Sequence, residues 1–412
     1  MKYQVSYQGI AADKAITLNG SKSISNRVLI IQALSGQDFS IENLSTAKDT
    51  VTLETLLAEV SDGVTLDAGA AGTTFRFLTA YLAFKKGTQI LTGSARMKKR
   101  PIKVLVDVLR VMGAKIEYIE KNGYPPLKIL QARPRKSSKV SLPADVSSQY
   151  ISALMLIAPS LPDGLEINLE GNIVSLPYLL MTKKLMELFG AVVDFDGKSF
   201  LISNQQYQAE PYWVEGDWSA ASYYYAITAF EKPGYQIRLY GIFSDSVQGD
   251  KVIAEIATNF GVETEYGDGF ICLTKNDHPI DEIFNYDFVL CPDLAQTVSV
   301  MMAGLGVRGT LTGLQTLRIK ETDRILALQQ ELQRVGVKVE DKGKADLMEQ
   351  KGRCDFQTTP SFDTYEDHRM AMSFASLAIF HKVQINEPGV VSKSYPAFWE
   401  DLEKVGFQID DV

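Results

Sequence analysis

Cysteine and histidine are both scarce in this 412-residue chain, with three of each. Cys272, Cys291 and Cys354 lie far apart and show no C-x-x-C spacing, so neither a disulfide framework nor a zinc site is expected. Such usage fits a reducing compartment, and a cytoplasmic protein is expected. His278, His368 and His381 do not cluster in sequence, which argues against a histidine metal centre. Positive charge is not in excess either. The formal net charge is −8, which argues against a general nucleic-acid binder, so any basic site must be local. No apolar run reaches the roughly 18 residues of a membrane span. The opening MKYQVSYQGI lacks the apolar core of a secretory signal.

One further absence is chemical. Residues 19–30 read NGSKSISNRVLI, which looks like the end of a nucleotide phosphate loop. That loop needs G-x-x-x-x-G-K-[ST]. Ser21 stands where a glycine must precede Lys22, and Ile16 stands where the loop must open. The pattern fails twice. A small-residue turn, Lys22, two serines and Arg27 still run into an apolar helix, and that combination suits some other anion.

What is present is a soluble, globular composition, 45% hydrophobic and 22% charged. The length suggests about two or three domains. A short pattern recurs: an amphipathic helix, a glycine, then a β-branched strand. It occurs as LVDVLRVMGAKIEYI (105–119), TKKLMELFGAVVDF (182–195), IAEIATNFGVETEY (253–266), LQQELQRVGVKVE (328–340) and FWEDLEKVGFQID (398–410). A degenerate copy is LETLLAEVSDGVTL (53–66). Glycine suits the left-handed stop of a helix, and the residues after it suit a strand.

A second helix type precedes each copy and is apolar nearly all round: RVLIIQAL, FRFLTAYLAF, YISALMLIA, ASYYYAITAF, VSVMMAGL and MAMSFASLAIF. Such helices belong inside a core. Six α/β units follow, each with one buried and one amphipathic helix, in two globular halves. The buried helices open on polar or small residues: Ser23, Gly72-Thr73-Thr74, Ser147-Ser148-Gln149, Ser219, Asp293 and Asp367. Free backbone N–H groups at such ends favour anions. Each start, taken singly, reads more readily as an ordinary N-cap, and six together, several beside Lys or Arg, weaken that reading.

The charged stretches fall at the same places. RIKETDRILALQQEL (318–332) puts Lys320, Glu321 and Arg324 just before or in a first helical turn, at spacings that let them share one face. Two cations there oppose the helix dipole unless an anion lies between them. In CPDLAQT, Asp293 is either an N-cap or a base near a substrate hydroxyl. EDHRMAM heads a helix with His368 and Arg369, His368 reading more readily as a structural group than as a proton carrier. RMKKRPIKVLVD reads first as a solvated charge run. Pro101 at the helix start singles out Arg100 within it. VSSQY offers hydroxyls and an amide, and VSKSYPAFW carries Lys393 in a loop.

These residues together resemble the EPSP synthase family of enolpyruvyl transferases. GSKSISNR, AGTTFR, LTGSARMKKRPI, VSSQY, VSLPY, VEGD, QGD, RIKETDR and DHRMAM stand in that family's order, from about Ser21 to Lys393. The resemblance implies an α/β fold of two domains, each of three βαβαββ units with buried helices. One domain would be 21–214 and the other 1–20 with 215–412, and the active site would lie in the cleft between them. It implies transfer of the enolpyruvyl group of phosphoenolpyruvate to the 5-hydroxyl of shikimate 3-phosphate, in the shikimate pathway. It implies no metal and no organic cofactor. Its partners would be small molecules only, with no nucleic acid or membrane, and the chain would be a monomer.

Roles follow from the same resemblance. Asp293 would take the hydroxyl proton, Glu321 would protonate the methylene carbon, and Lys22 would serve the reacting centre. Lys22, Ser23, Arg27, Ser147, Ser148, Gln149, Ser175, Tyr178, Asp293, Thr316 and Lys320 would hold shikimate 3-phosphate. Lys22, Gly72, Arg100, Gln149, Arg324, Arg369 and Lys393 would hold phosphoenolpyruvate. The chain departs from the family at Ala70, Phe77, Thr316 and Leu176, and these changes bear on affinity and on the glyphosate response more than on reaction type. The rival readings are a UDP-N-acetylglucosamine enolpyruvyl transferase, which would carry a cysteine in LTGSARMKKRP, and an inactive anion-binding relative.

Overall fold

A computed structural model describes residues 1–9, 14–134, 139–145, 147–343 and 346–412. Val146 of VSSQY lies outside the described residues. The chain divides into two compact units, Met1–Gly20 with Glu215–Val412, and Ser21–Val214.

In Ser21–Val214, strand Thr65–Asp67 leads through helix Gly72–Leu82 to the parallel strand Gln89–Thr92. Helix Lys103–Val111 follows, and Lys115–Tyr118 and Leu127–Leu130 close the sheet as an antiparallel pair. This βαβαββ pattern repeats from Lys139–Pro143 to Ser199–Ile202, around helices Ser148–Ile157 and Leu176–Leu188. The third repeat is reduced. Helices Lys22–Ser35 and Lys48–Glu59 accompany only Ile41–Glu42 paired with Tyr212–Trp213. From Glu59 the chain runs straight to the next unit's strand at Thr65, which leaves no length for a hairpin. The degenerate sequence copy falls at this place.

Among the described residues, the other unit carries three four-stranded sheets. Ala15–Thr17 lies parallel to Gln236–Tyr240, Tyr286–Asp287 to Gly309–Thr312, and Ser361–Phe362 to Val383–Asn386. Strand Lys2–Tyr7 inserts between Val383–Asn386 and Phe407–Asp411, so the two chain ends complete one sheet. The five recurring glycines after the amphipathic helices all have positive φ, from 74° to 107°. At Gly406 a side chain would also meet the Gly9 carbonyl oxygen at 2.2 Å.

Three buried helices form the heart of each unit. Trp218–Phe230 is buried at every residue except Ser219. It packs with Ala295–Leu305 and His368–Ala375. A chain of hydroxyls, Ser222 to Thr297 to Ser373, each 3.3 Å from the next, runs between the three. Tyr224 and Tyr225 satisfy their phenols on Tyr395 and Thr264. Large aromatic areas are therefore buried, at roughly 1.5–3 kcal/mol per side chain, without orphaning those hydroxyls. In Ser21–Val214 the equivalent trio is Lys22–Ser35, Gly72–Leu82 and Ser148–Ile157. Among the described residues, no helix is long and apolar enough to cross a membrane.

Candidate active site

In the unit that contains both chain ends, the charged residues converge on Asp293. It sits in the 3-10 turn Pro292–Leu294, which feeds the buried helix Ala295–Leu305. Its Oδ1 accepts from Arg324 at 2.8 Å and lies 3.2 Å from Lys320 Nζ. Its Oδ2 lies 3.1 Å from Arg369 Nη2, and its carbonyl oxygen accepts from Arg369 Nη1 at 3.2 Å. Burial pushes the Asp293 carboxyl up. Arg369, Lys320 and Arg324 outweigh burial and hold it well below the usual carboxylate range. Asp293 is thus a cation-bound carboxylate rather than a simple helix cap.

Arg324 is the first residue of helix Arg324–Gln333, and its side chain is 2% exposed. Its guanidinium spans three carboxylates: Asp293, Glu321 at 3.0 Å and Asp367 at 2.7 Å. Burial alone would lower its pKa, but Asp367, Glu321 and Asp293 together raise it. Asp367 is fully buried and caps helix His368–Ala375, accepting from Arg369 N–H at 2.9 Å. Lys393 donates to the carbonyl of Glu366 at 2.7 Å. Thr316 lies in the 3-10 turn Gln315–Ile319, and its buried hydroxyl finds no partner among the described residues.

Lys320 and Arg324 do not meet along a helical face. Residues 320–323 are non-helical, and Asp323 caps the helix by accepting from Leu326 N–H. The corner between a 3-10 turn and an α-helix delivers both cations to Asp293. Pro101 also differs from its expected place, since the helix begins at Lys103.

In Ser21–Val214, Arg27 is buried, and burial pulls its pKa down to about 10. It donates to Thr182 Oγ1 at 2.7 Å, the Ser23 carbonyl at 2.8 Å, Ser152 Oγ at 3.2 Å and the Tyr178 carbonyl at 3.3 Å. Four donations tie three helices together and leave one N–H for any further acceptor. Phe77, one of the departures, packs its ring 5.5 Å from this guanidinium. Lys22 pairs with Asp49 at 3.4 Å. Gln149 donates to Thr73 Oγ1 at 3.0 Å, and the Arg100 guanidinium lies over Gly72. The helices opening at Lys22, Gly72 and Ser148 donate no backbone N–H to an N-cap side chain. Ser21 and Ser147 occupy cap positions without capping. Ser175 is buried, in a left-handed conformation, directly before helix Leu176–Leu188.

Reading the sequence left several groups without a role: Asp49 on Lys22, Asp367 on Arg324, and Ser219 with Asp250 beside Arg369. The one signal for them was position, because each acid or hydroxyl stands near a helix start. Among the described residues, no three His, Cys, Asp or Glu side chains are arranged to hold a metal ion.

The repeated βαβαββ units are the fold of solved enolpyruvyl transferases. The fold matches EPSP synthase from Acinetobacter baumannii over 100% of both chains, with a TM-score of 0.77 at 19% identity. It also matches the enolpyruvyl transferase NikO from Streptomyces tendae over 99% of this chain and 98% of that one, with a TM-score of 0.75 at 14% identity. Sequence narrows the class. Residues 54–402 match the family described as EPSP synthase (3-phosphoshikimate 1-carboxyvinyltransferase). A 3-phosphoshikimate 1-carboxyvinyltransferase of Bacteroides fragilis is 48% identical over 396 residues, covering 96% of this chain and 95% of the relative. One from Sulfurovum sp. is 37% identical over 425 residues, covering 95% and 96%. The chain belongs to the EPSP synthase family.

Proposed function

We propose that the chain transfers the enolpyruvyl group of phosphoenolpyruvate to the 5-hydroxyl of shikimate 3-phosphate. The products are 5-enolpyruvylshikimate 3-phosphate and phosphate, in the pathway to aromatic amino acids. The observation that carries this reading is Asp293, held by Lys320, Arg324 and Arg369, with Glu321 on the same Arg324. The reaction needs one group to accept the hydroxyl proton and another to deliver a proton to the methylene carbon. It also needs cations for a phosphate and a carboxylate. Asp293 takes the first role, with Lys320 beside the hydroxyl, and Glu321 takes the second. In the elimination Glu321 takes a proton back from the methyl group, the C=C bond re-forms, and the C–O bond to phosphate breaks to release phosphate.

Two of the three cations that pair with Asp293, Arg324 and Arg369, are the ones that grip phosphoenolpyruvate in this reading. An anion docking on Arg324 and Arg369 draws positive charge from Asp293 and makes it a better base. Arginine suits the task because its planar fork matches carboxylate and phosphate oxygens. Lys393 completes the grip. Lys22, Ser23, Arg27, Ser147, Ser148, Gln149, Ser175, Tyr178 and Thr316 hold shikimate 3-phosphate. Lys22, Arg100, Gln149 and the backbone at Gly72 reach phosphoenolpyruvate. The helix starts at Lys22, Gly72 and Ser148 support this, since their N–H groups are not taken up by an N-cap side chain. The proposed enzyme acts as a cytoplasmic monomer, as the family resemblance and the scattered cysteines imply.

Purified protein given both substrates is expected to release phosphate, and either substrate alone is not. Folded protein that releases none overturns the assignment. A second expectation concerns Gly72. A Cβ there would lie 2.6 Å from Arg100 Nη1, so Gly72→Ala must displace that guanidinium. Loss of one charge-assisted hydrogen bond corresponds to a KM for phosphoenolpyruvate raised about tenfold or more. Shikimate 3-phosphate binding, followed by calorimetry, should stay within about twofold. An unchanged KM would remove Arg100 from the phosphoenolpyruvate site.

A further inference from the structure

Asp250 belongs to the QGD motif, and none of the roles above uses it. It lies in the 3-10 turn Gly249–Val252 and is 4% exposed. The Ser219 hydroxyl donates to its Oδ2 in a short hydrogen bond. The same Ser219 oxygen accepts from Arg369 Nη2 at 3.3 Å. Arg369 Nη2 is therefore shared between Ser219, backed by Asp250, and Asp293. Ser219 is the one residue of helix Trp218–Phe230 that is not buried.

We infer that Asp250 is a positioning residue for Arg369, acting through the Ser219 hydroxyl, and that its carboxyl takes up a proton when an anionic substrate docks on that guanidinium. The proton comes from solvent and converts the carboxylate to the acid, and no other bond changes. Ser219 remains between the two groups in either state, because a protonated Asp250 donates to the hydroxyl oxygen where the carboxylate accepted from it.

The surroundings set the direction. Arg369 faces Asp250 from helix His368–Ala375 and Asp293 from the Pro292–Leu294 turn, while Asp217 and Ser219 face it from the start of helix Trp218–Phe230. Cys291 adds a thiol, pushed up to about 12 by burial and by Asp250 itself. On Asp250's own turn, Lys251 donates to the carbonyl of Ser244. The Asp250 carboxyl is pushed up to about 6: burial raises it most, Asp293 and Asp217 add to the rise, and Arg369 and Ser219 oppose it. An anion on Arg369 adds negative charge close by and disfavours the ionised form further. A ligand that raises the carboxyl's pKa binds more tightly as pH falls through the bound value, and the gain levels off below the free value. A rise of one unit makes binding about sixfold tighter at pH 5.5 than at pH 7.5.

This inference rests on the reading of Arg369 as a phosphoenolpyruvate ligand. The test is calorimetry of phosphoenolpyruvate binding in the presence of shikimate 3-phosphate, across that pH range and in buffers of different ionisation enthalpy. Wild type is compared with Asp250→Asn, so that titration of the ligand itself cancels. Wild type is expected to take up a fraction of a proton more than the variant and to show the additional pH dependence. The same proton count and pH slope in both overturns the inference. If Asp250→Asn does not fold, Ser219→Ala decides. Removing a hydrogen bond to the ionised form must shift the midpoint to higher pH, and an unmoved midpoint overturns the inference. Wild type that neither binds phosphoenolpyruvate nor releases phosphate would refute the proposed function instead.

Discussion

Asp293→Asn is expected to cut turnover about a thousandfold or more, the upper range for loss of a positioned base. Shikimate 3-phosphate binding should change by no more than a few-fold. The substitution keeps the side chain's shape and its oxygen facing Arg324, but removes the negative charge and the basic lone pair. Around this point three carboxylates, Asp293, Glu321 and Asp367, face three cations, Lys320, Arg324 and Arg369. Deleting one carboxylate charge leaves the cluster net positive. The KM for phosphoenolpyruvate, itself an anion, should therefore hold steady or fall while kcat collapses. Steady-state phosphate release gives both constants, and calorimetry gives shikimate 3-phosphate affinity. A raised KM with near-normal kcat would make Asp293 a binding residue and remove it from proton transfer.

Much of the architecture was legible in patterns of burial. Trp218–Phe230 and Ala295–Leu305 read as core helices because apolar residues cover their whole circumference, and the structure buries nearly all of both. The glycines after the amphipathic helices read as helix stops, and their positive φ values agree. The reduced repeat was visible as the degenerate copy at 53–66. The loss of its hairpin was not, because strand count depends on where the next unit begins. At the site, residue types at helix starts pointed to Lys320, Glu321, Arg324 and Arg369. Their partners did not follow from sequence. Asp367 stands 43 positions from Arg324, and Asp250 stands 31 from Ser219. Such pairs are created by packing three buried helices together, and no local periodicity encodes them. Arg27 shows the same limit: its spacing from Ser23 was readable, but its bonds to Thr182 and Ser152 come from other helices.

Arg324→Met is expected to destabilise the unit that holds Asp293 by about 3–5 kcal/mol, as when one partner of a buried ion pair is removed. The methionine fills much of the same volume, so the loss is electrostatic rather than a cavity. Asp367, fully buried, loses its 2.7 Å partner and Glu321 its 3.0 Å one, while Asp293 keeps Lys320 and Arg369 but loses Arg324. Trp218 and Trp399 lie in this unit and Trp213 in the other, so tryptophan fluorescence weights urea unfolding toward the affected part. The midpoint should fall by on the order of 1–2 M urea with little change in slope. Arg324→Lys should fall between wild type and Met, because a single ammonium cannot span three carboxylates as a planar fork does. Acidification separates this account from simple mispacking. The penalty comes from buried negative charge left without a cation, so the gap between Met and wild type should narrow as pH falls and those carboxyls neutralise. A gap independent of pH would mean that Arg324 stabilises through packing, and that the charge balance around Asp293 is set elsewhere.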